Sequence, residues 1–209
     1  CEYSSSSSSF LNKANENINH TSISGCIVRS VEVDSDYGDY ESEIFALGLL
    51  QARLVLHGYL IKGGLSFGNN YVSGNEVFGP ALSIAKNLDT NIAFFPRVLI
   101  ADNITLNSKY IKTDHDGLKF IDYLSVYTSL EFGNSPNIEP NNGAINERND
   151  ESLYILLNCH KELVRKTLEQ ASNKYDTCSQ YLWLKNYHNS FVTDCIDITE
   201  EEKSQLHYF

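Results

Sequence analysis

Apolar residues along the chain change period several times, and each change marks an element. Residues 22–33, "SISGCIVRSVEV", are β-branched and partly alternating, which predicts a strand. Residues 43–57, "EIFALGLLQARLVLH", are apolar on most faces and predict a buried helix, with Gly58 as its stop. "YLIKGGLSF" (59–67) reads as a second strand, paired in a hairpin with the residues after it, and its double glycine marks a close approach of backbone or ligand. Gly79-Pro80 then opens a helix, because proline suits a first helical position whose N–H has no partner. Ala81, Ile84, Ala85 and Leu88 fall on one face of that helix.

A third strand spans 93–101, "AFFPRVLIA", where Pro96 removes a ladder donor and predicts an edge strand or a bulge. "KTDHDGLKFIDYL" (112–124) predicts a turn on Asp116-Gly117 followed by a short strand. Residues 134–150 are rich in Asn, Pro and Glu and read as a loop. Two helices close the chain. Leu153, Leu156, Leu157, Leu163, Val164 and Leu168 form the apolar stripe of the first (152–170), and Tyr175, Cys178, Leu182 and Tyr187 that of the second (173–191). The order strand, helix, strand, helix, strand predicts an α/β (α+β) sandwich, with helices on one face of a mostly antiparallel sheet.

Composition narrows the function classes. The chain has 209 residues, 42% of them apolar, enough for one domain with its own core. A net charge of −11 gives no general footprint for nucleic acid or for an anionic membrane. No apolar run approaches the roughly 20 residues that span a bilayer. Five scattered cysteines without a C-x-x-C pair argue against a disulfide framework or a zinc site, and suit a reduced, cytoplasmic setting. Residues 1–21 contain six consecutive serines and read as a flexible lead-in. The chain has no methionine, and the expectation is that the natural protein begins earlier or that this start was altered.

The motifs "LIKGGLSFG", "VFGPALSIAKNLD", "AFFPRVLI", "DHDGLKFIDYL" and "QYLWLKNYHNSF" together resemble the pyrimidine nucleotide cyclases of bacterial Pycsar anti-phage systems, relatives of the class III adenylate and guanylate cyclases. The resemblance covers about residues 22 to 191. It implies a ferredoxin-like, palm-type sheet that forms a homodimer, and division into the lead-in 1–21, a cyclase-like domain 22–135, incomplete at its N-terminus, and a loop and helical extension 136–209. The implied reaction converts CTP or UTP to the cyclic 3′,5′-monophosphate: the 3′-hydroxyl attacks the α-phosphate and pyrophosphate leaves. Two divalent cations, Mn²⁺ or Mg²⁺, would clamp the attacking and leaving oxygens.

The sequence departs from that pattern where the metal is held. The first carboxylate belongs to a segment like Phe-x-Asp-x-x-Gly-Phe, and none lies between Cys1 and Thr21. The second belongs to a motif like Phe-Ser-Asp-(Cys/Ser)-Ile-Val, and Gly25 stands at the aspartate position in "ISGCIV". Asp34 and Asp36 lie across the next turn and read as a solvated loop. Lys62 replaces the family arginine before the double glycine, either neutralising phosphate as a point charge or standing as a surface lysine. Ser66 and Ser83 fall where the family lines the pocket, although the preferred reading of both is as ordinary strand and helix residues. Asn87 aligns with the transition-state arginine, whose charge an amide cannot supply. Arg97 contacts base or ribose, or, as the preferred reading, makes a structural ion pair. His188 reads as a packed helix end. Asp114, Asp116 and Asp122 have metal-like spacing, better explained by turn chemistry at Asp116-Gly117. The expectation is a nucleotide cyclase-like protein of weak or no activity; the alternative is a non-catalytic cyclase-homology module that binds a nucleotide or a protein partner.

Overall fold

The computed structural model describes residues 18–23, 26–32, 38–73, 76–131, 146–171, 175–196 and 198–207. Its mixed α+β architecture centres on one four-stranded sheet. Strands β1 (Ile18–Ile23) and β2 (Cys26–Val31) form an antiparallel hairpin in which Ile23 pairs with Cys26. The single strand expected over 22–33 is therefore two strands, and the expected lead-in ends within β1. The alternation that suggested one strand continues on both sides of Ser24-Gly25, so the period alone carried no sign of the reversal.

Helix α1 (Gly38–Leu56) comes next, with Ile44, Gln51, Ala52 and Val55 buried along one stripe. The Arg29 guanidinium grips the Glu43 carboxylate through two 2.9 Å bonds and ties β2 to this helix. Strand β3 (Gly63–Leu65) is shorter than expected and does not pair with the segment after it. That segment makes its own hairpin, β4 (Tyr71–Ser73) with β5 (Glu76–Phe78). Helix α2 (Pro80–Asn87) carries Pro80 in its first turn, as expected, and runs into a wider π-type turn over Leu88–Ile92.

Strands β6 (Val98–Ile100), β7 (Ile111–Thr113) and β8 (Lys119–Ile121) complete the main sheet in the order β3-β6-β8-β7. β3 and β6 run parallel; the other pairings are antiparallel. The connection from β3 to β6 is long enough to carry a helix, which is what a parallel pairing demands. β6 is thus central, not an edge strand. Pro96 is accommodated because the strand begins after it, at Val98, so no ladder donor is lost. All three residues of β6 are buried, with Leu99 in one apolar cluster and Val98 and Ile100 in another. Where helices on one face alone were expected, β6 at the centre of the sheet is buried on both faces, and the uninterrupted "VLI" run is the pattern of such a strand.

The β7–β8 turn has the expected chemistry. Gly117 adopts φ 79°, a left-handed conformation that glycine takes without a Cβ penalty. Helix α3 (Tyr123–Glu131) comes after β8, then α4 (Asn146–Ala171), α5 (Tyr175–Asp194) and α6 (Glu200–Leu206). In α4, Leu153, Leu156, Leu157 and Val164 are buried and Leu163 and Leu168 pack beside them, as the stripe predicts. In α5, Tyr187 is buried but Leu182 is 46% exposed; the side chains of Tyr175 and Cys178 lie outside those described. The last helix, α6, opens on a capping box: Thr199 Oγ1 accepts from the Glu202 N–H, and the Glu202 carboxylate accepts from the Thr199 N–H at 2.7 Å. Among the described residues no helix is long and apolar enough to cross a membrane.

Candidate functional site

Of the double glycine at the start of β3, Gly64 is explained by packing, while a Cβ on Gly63 would meet only Val98 at an ordinary 3.8 Å. A Cβ on Gly64 would lie 2.4 Å from the Ala85 carbonyl oxygen and 2.6 Å from the Leu88 Cβ. The space that a side chain would fill holds α2 and the turn after it. A ligand is not needed to account for the glycine.

Lys62, just before β3, closes the end of that same helical segment. Its ammonium donates to the Asp89 carbonyl at 2.6 Å and the Ala93 carbonyl at 3.3 Å, and lies 3.6 Å from the Asp89 carboxylate. The C-terminal end of a helix carries partial negative charge and unpaired carbonyls, and an ammonium serves both. Ser66 donates to the Ala81 carbonyl at 2.5 Å, fastening the residue after β3 to α2. Ser83 donates back to the Gly79 carbonyl at 3.1 Å. Asn87 accepts from the Asn91 amide at 2.8 Å on an exposed face.

Arg97 is among the largest fully buried side chains of the described residues, 1% exposed. Its two terminal nitrogens donate to Asp114 and Asp116, which flank the β7–β8 turn. Its guanidinium carbon lies 5.1 Å from the centre of the Phe95 ring, 5.4 Å from Trp183 and 5.5 Å from Phe120. Phe95 and Trp183 stack at 10°, and the Trp183 indole N–H donates to Asp114 at 2.5 Å. The structural ion pair preferred from sequence is thus present. Burial alone would raise the Asp116 carboxyl, but the Arg97 hydrogen bond, the Leu118 N–H and the Arg97 charge outweigh it and hold the carboxyl below its ordinary value.

The third aspartate stands apart. Asp122 is buried, accepts from Tyr187 at 2.5 Å and from Ser125 at 2.7 Å, and pairs with Lys112 at 3.2 Å. The Asp114–Asp116–Asp122 spacing therefore serves two separate knots. His188 is buried, as expected of a packed helix end, and lies face to face with His160, ring centres 4.9 Å apart at 11°.

Lys62, Ser66, Arg97 and Asn87 thus engage different partners and do not converge on one pocket through those bonds. Gly25, Asp34 and Asp36 lie outside the described residues. Asp89, which sequence reasoning passed over, does reach this region: the Cys26 thiol lies 3.6 Å from its carboxylate, and Lys62 stands on the other oxygen. No local signal could have found this contact, because it joins residues 63 positions apart. His160 and Trp183 were missed for the same reason, as their partners sit on other elements.

The described residues do not assemble a two-cation site. Gly25 has no side-chain donor, the Asp89 carboxylate is already paired with Lys62, and among the described residues no group of three or more His, Cys, Asp or Glu stands together. The chain matches no family model, no curated protein and no solved structure.

Proposed function

We propose that this chain is a nucleotide cyclase-like module, of the palm-type fold that its motifs resemble, that binds a partner and does not cyclise. The observation that supports this reading is the fate of the four nucleotide-contact candidates. Lys62, Ser66 and Asn87 are engaged within the α2 region, and Arg97 is buried under Trp183 with both terminal nitrogens on aspartates. Freeing Arg97 for a triphosphate would strand two carboxylates, one of them largely buried, and leaving a buried charge unpaired costs about 3–5 kcal/mol.

The partner in this reading is a second copy of the chain in a cytoplasmic homodimer. The surface it would use is the β4–β5 hairpin, where Tyr71 and Phe78 pair across the strands, 55% and 57% exposed. Apolar side chains gathered this way favour contact with another protein surface. Sedimentation of the wild type and of Phe78→Glu tests this part: dimer for the first and monomer for the second is expected, and a monomeric wild type at high concentration overturns it.

One observation favours a second reading, a residual cyclase acting on CTP or UTP with Mn²⁺ or Mg²⁺. Asp89 brings a carboxylate beside Cys26, the neighbour of Gly25. Incubation with CTP, UTP, ATP and GTP and either cation, with products resolved by chromatography, separates the two. No cyclic product above a protein-free control is expected, including from Gly25→Asp. Cyclic CMP or cyclic UMP that disappears in Asp89→Asn would establish the second reading instead.

A further inference from the structure

One buried polar cluster serves neither of these roles. His160 on α4 and His188 on α5 are both essentially inaccessible, 0% and 1% exposed, and their rings stack. His188 Nε2 lies 3.0 Å from the carbonyl oxygen of Leu206, the last residue of α6. A carbonyl only accepts, so Nε2 carries the hydrogen and Nδ1 the lone pair. The Nδ1 atoms of both histidines are buried without a hydrogen-bond partner among the described residues. His160 Nε2 meets the Tyr123 hydroxyl at 2.6 Å.

This cluster holds the end of α6. Leu206 is 1% exposed, and its carbonyl is taken by His188. The neighbouring Gln205 carbonyl accepts from Lys161 of α4 at 2.6 Å, and the Gln205 side chain accepts from Tyr154 at 3.1 Å. Helix α6 has only seven residues, too few to persist without docking. Whatever weakens these contacts releases it as a unit.

We propose that the stacked His160–His188 pair is an acid-opened latch that docks α6 at neutral pH and releases it on protonation. A proton added to either ring places a charge against the other imidazole, in a site where no carboxylate among the described residues is in direct contact. The groups that face the pair are Tyr123 from α3, Lys161 from α4, Tyr187 from α5 and His207 beyond α6, and none is an anion at neutral pH. Burial, with nearby Lys161 and His207 adding to it, depresses His188 to about 4 even though its bond to the Leu206 carbonyl pulls the other way. Burial and then His188 push His160 well below its ordinary value. A histidine depressed in the docked state and ordinary in the released state takes up a proton on release. Docking is therefore at full strength above about pH 6.5, and it weakens as pH falls from there toward the depressed values.

Hydrogen exchange of the α6 amides in the full chain, corrected for intrinsic exchange between pH 7.5 and 4.5, tests this. The opening constant should rise about tenfold per pH unit below pH 6.5 if one histidine is exposed on release, and up to about a hundredfold if both are. The Glu202 cap carboxylate lies below its ordinary value of 4.5, so it titrates under this window. His188→Gln keeps an N–H for the Leu206 carbonyl but does not titrate, and should lose about tenfold per unit from that slope. His160→Gln, where His188 still titrates, should keep at least a tenfold slope. A wild-type slope retained in His188→Gln, a flat wild-type profile, or α6 opening only together with α4 and α5 would each overturn the latch.

Discussion

Replacing Arg97 with Met tests the central claim that this arginine holds the fold together. The substitution keeps the length of an unbranched side chain and removes the charge. Asp114, with 11% of its side chain exposed, loses its cation, while Asp116, at 39%, is rescued in part by water. Breaking a buried pair by removing one partner costs about 3–5 kcal/mol. The ring contacts with Phe95, Trp183 and Phe120 add about 0.5–2 kcal/mol, partly kept by a thioether among aromatics. Against a domain stability of about 5–15 kcal/mol, this is a large fraction. At about 2–4 °C per kcal/mol for a chain of this size, loss of the ion pair alone should lower Tm by roughly 6–20 °C.

Urea unfolding monitored by tryptophan fluorescence measures this directly, because Trp183 is the single tryptophan and its indole donates to Asp114. Adding Asp114→Leu to Arg97→Met removes the stranded carboxylate and should recover part of the loss. The acid limb carries a second signature. Asp116 is lowered in the folded state, so its contribution is present above the ordinary carboxylate value near 3.8 and lost as pH falls through the lowered value. That dependence should shrink in Arg97→Met, where the Leu118 N–H remains. A loss below about 1 kcal/mol with an unchanged urea slope would remove Arg97 from the core of the fold, since an exposed, solvated pair is worth no more than that. Nucleotide binding lost at unchanged stability would instead assign Arg97 to a ligand.

Two further substitutions probe the packing. Gly64→Ala should cost about 1–3 kcal/mol in thermal or urea unfolding, because its methyl meets the Ala85 backbone at 2.4 Å and β3 must move away from α2; a neutral result would mean that α2 sits farther from the sheet. Thr199→Ala removes the hydroxyl of the α6 cap and should cost about 0.5–2 kcal/mol, raising α6 exchange at every pH without changing its pH slope; an altered slope would move the latch from the histidines to the cap.

Local features were legible along the chain. The helices 43–57, 152–170 and 173–191, the Pro80 helix start and the Asp116-Gly117 turn arise from side-chain period, a missing N–H and a left-handed φ, all readable within a few residues. The Thr199–Glu202 box was equally legible as a helix start, though the pattern of apolar residues drew attention elsewhere. Tertiary structure settled the rest. It chose β6, not "NNYVSGNEVF", as the partner of β3, because pairing depends on which strand is delivered alongside and not on the strand's own residues. It turned Arg97 inward, since the two carboxylates that neutralise it arrive from a turn 17 and 19 positions away and the covering indole from a helix much later in the chain. It brought His160 against His188 and His188 against the end of α6, a meeting of three helices that no spacing encodes. Charge, burial and protonation at these positions are properties of that meeting, which is why the same aspartates and histidines read as candidate chemistry along the chain and as structural knots in the fold.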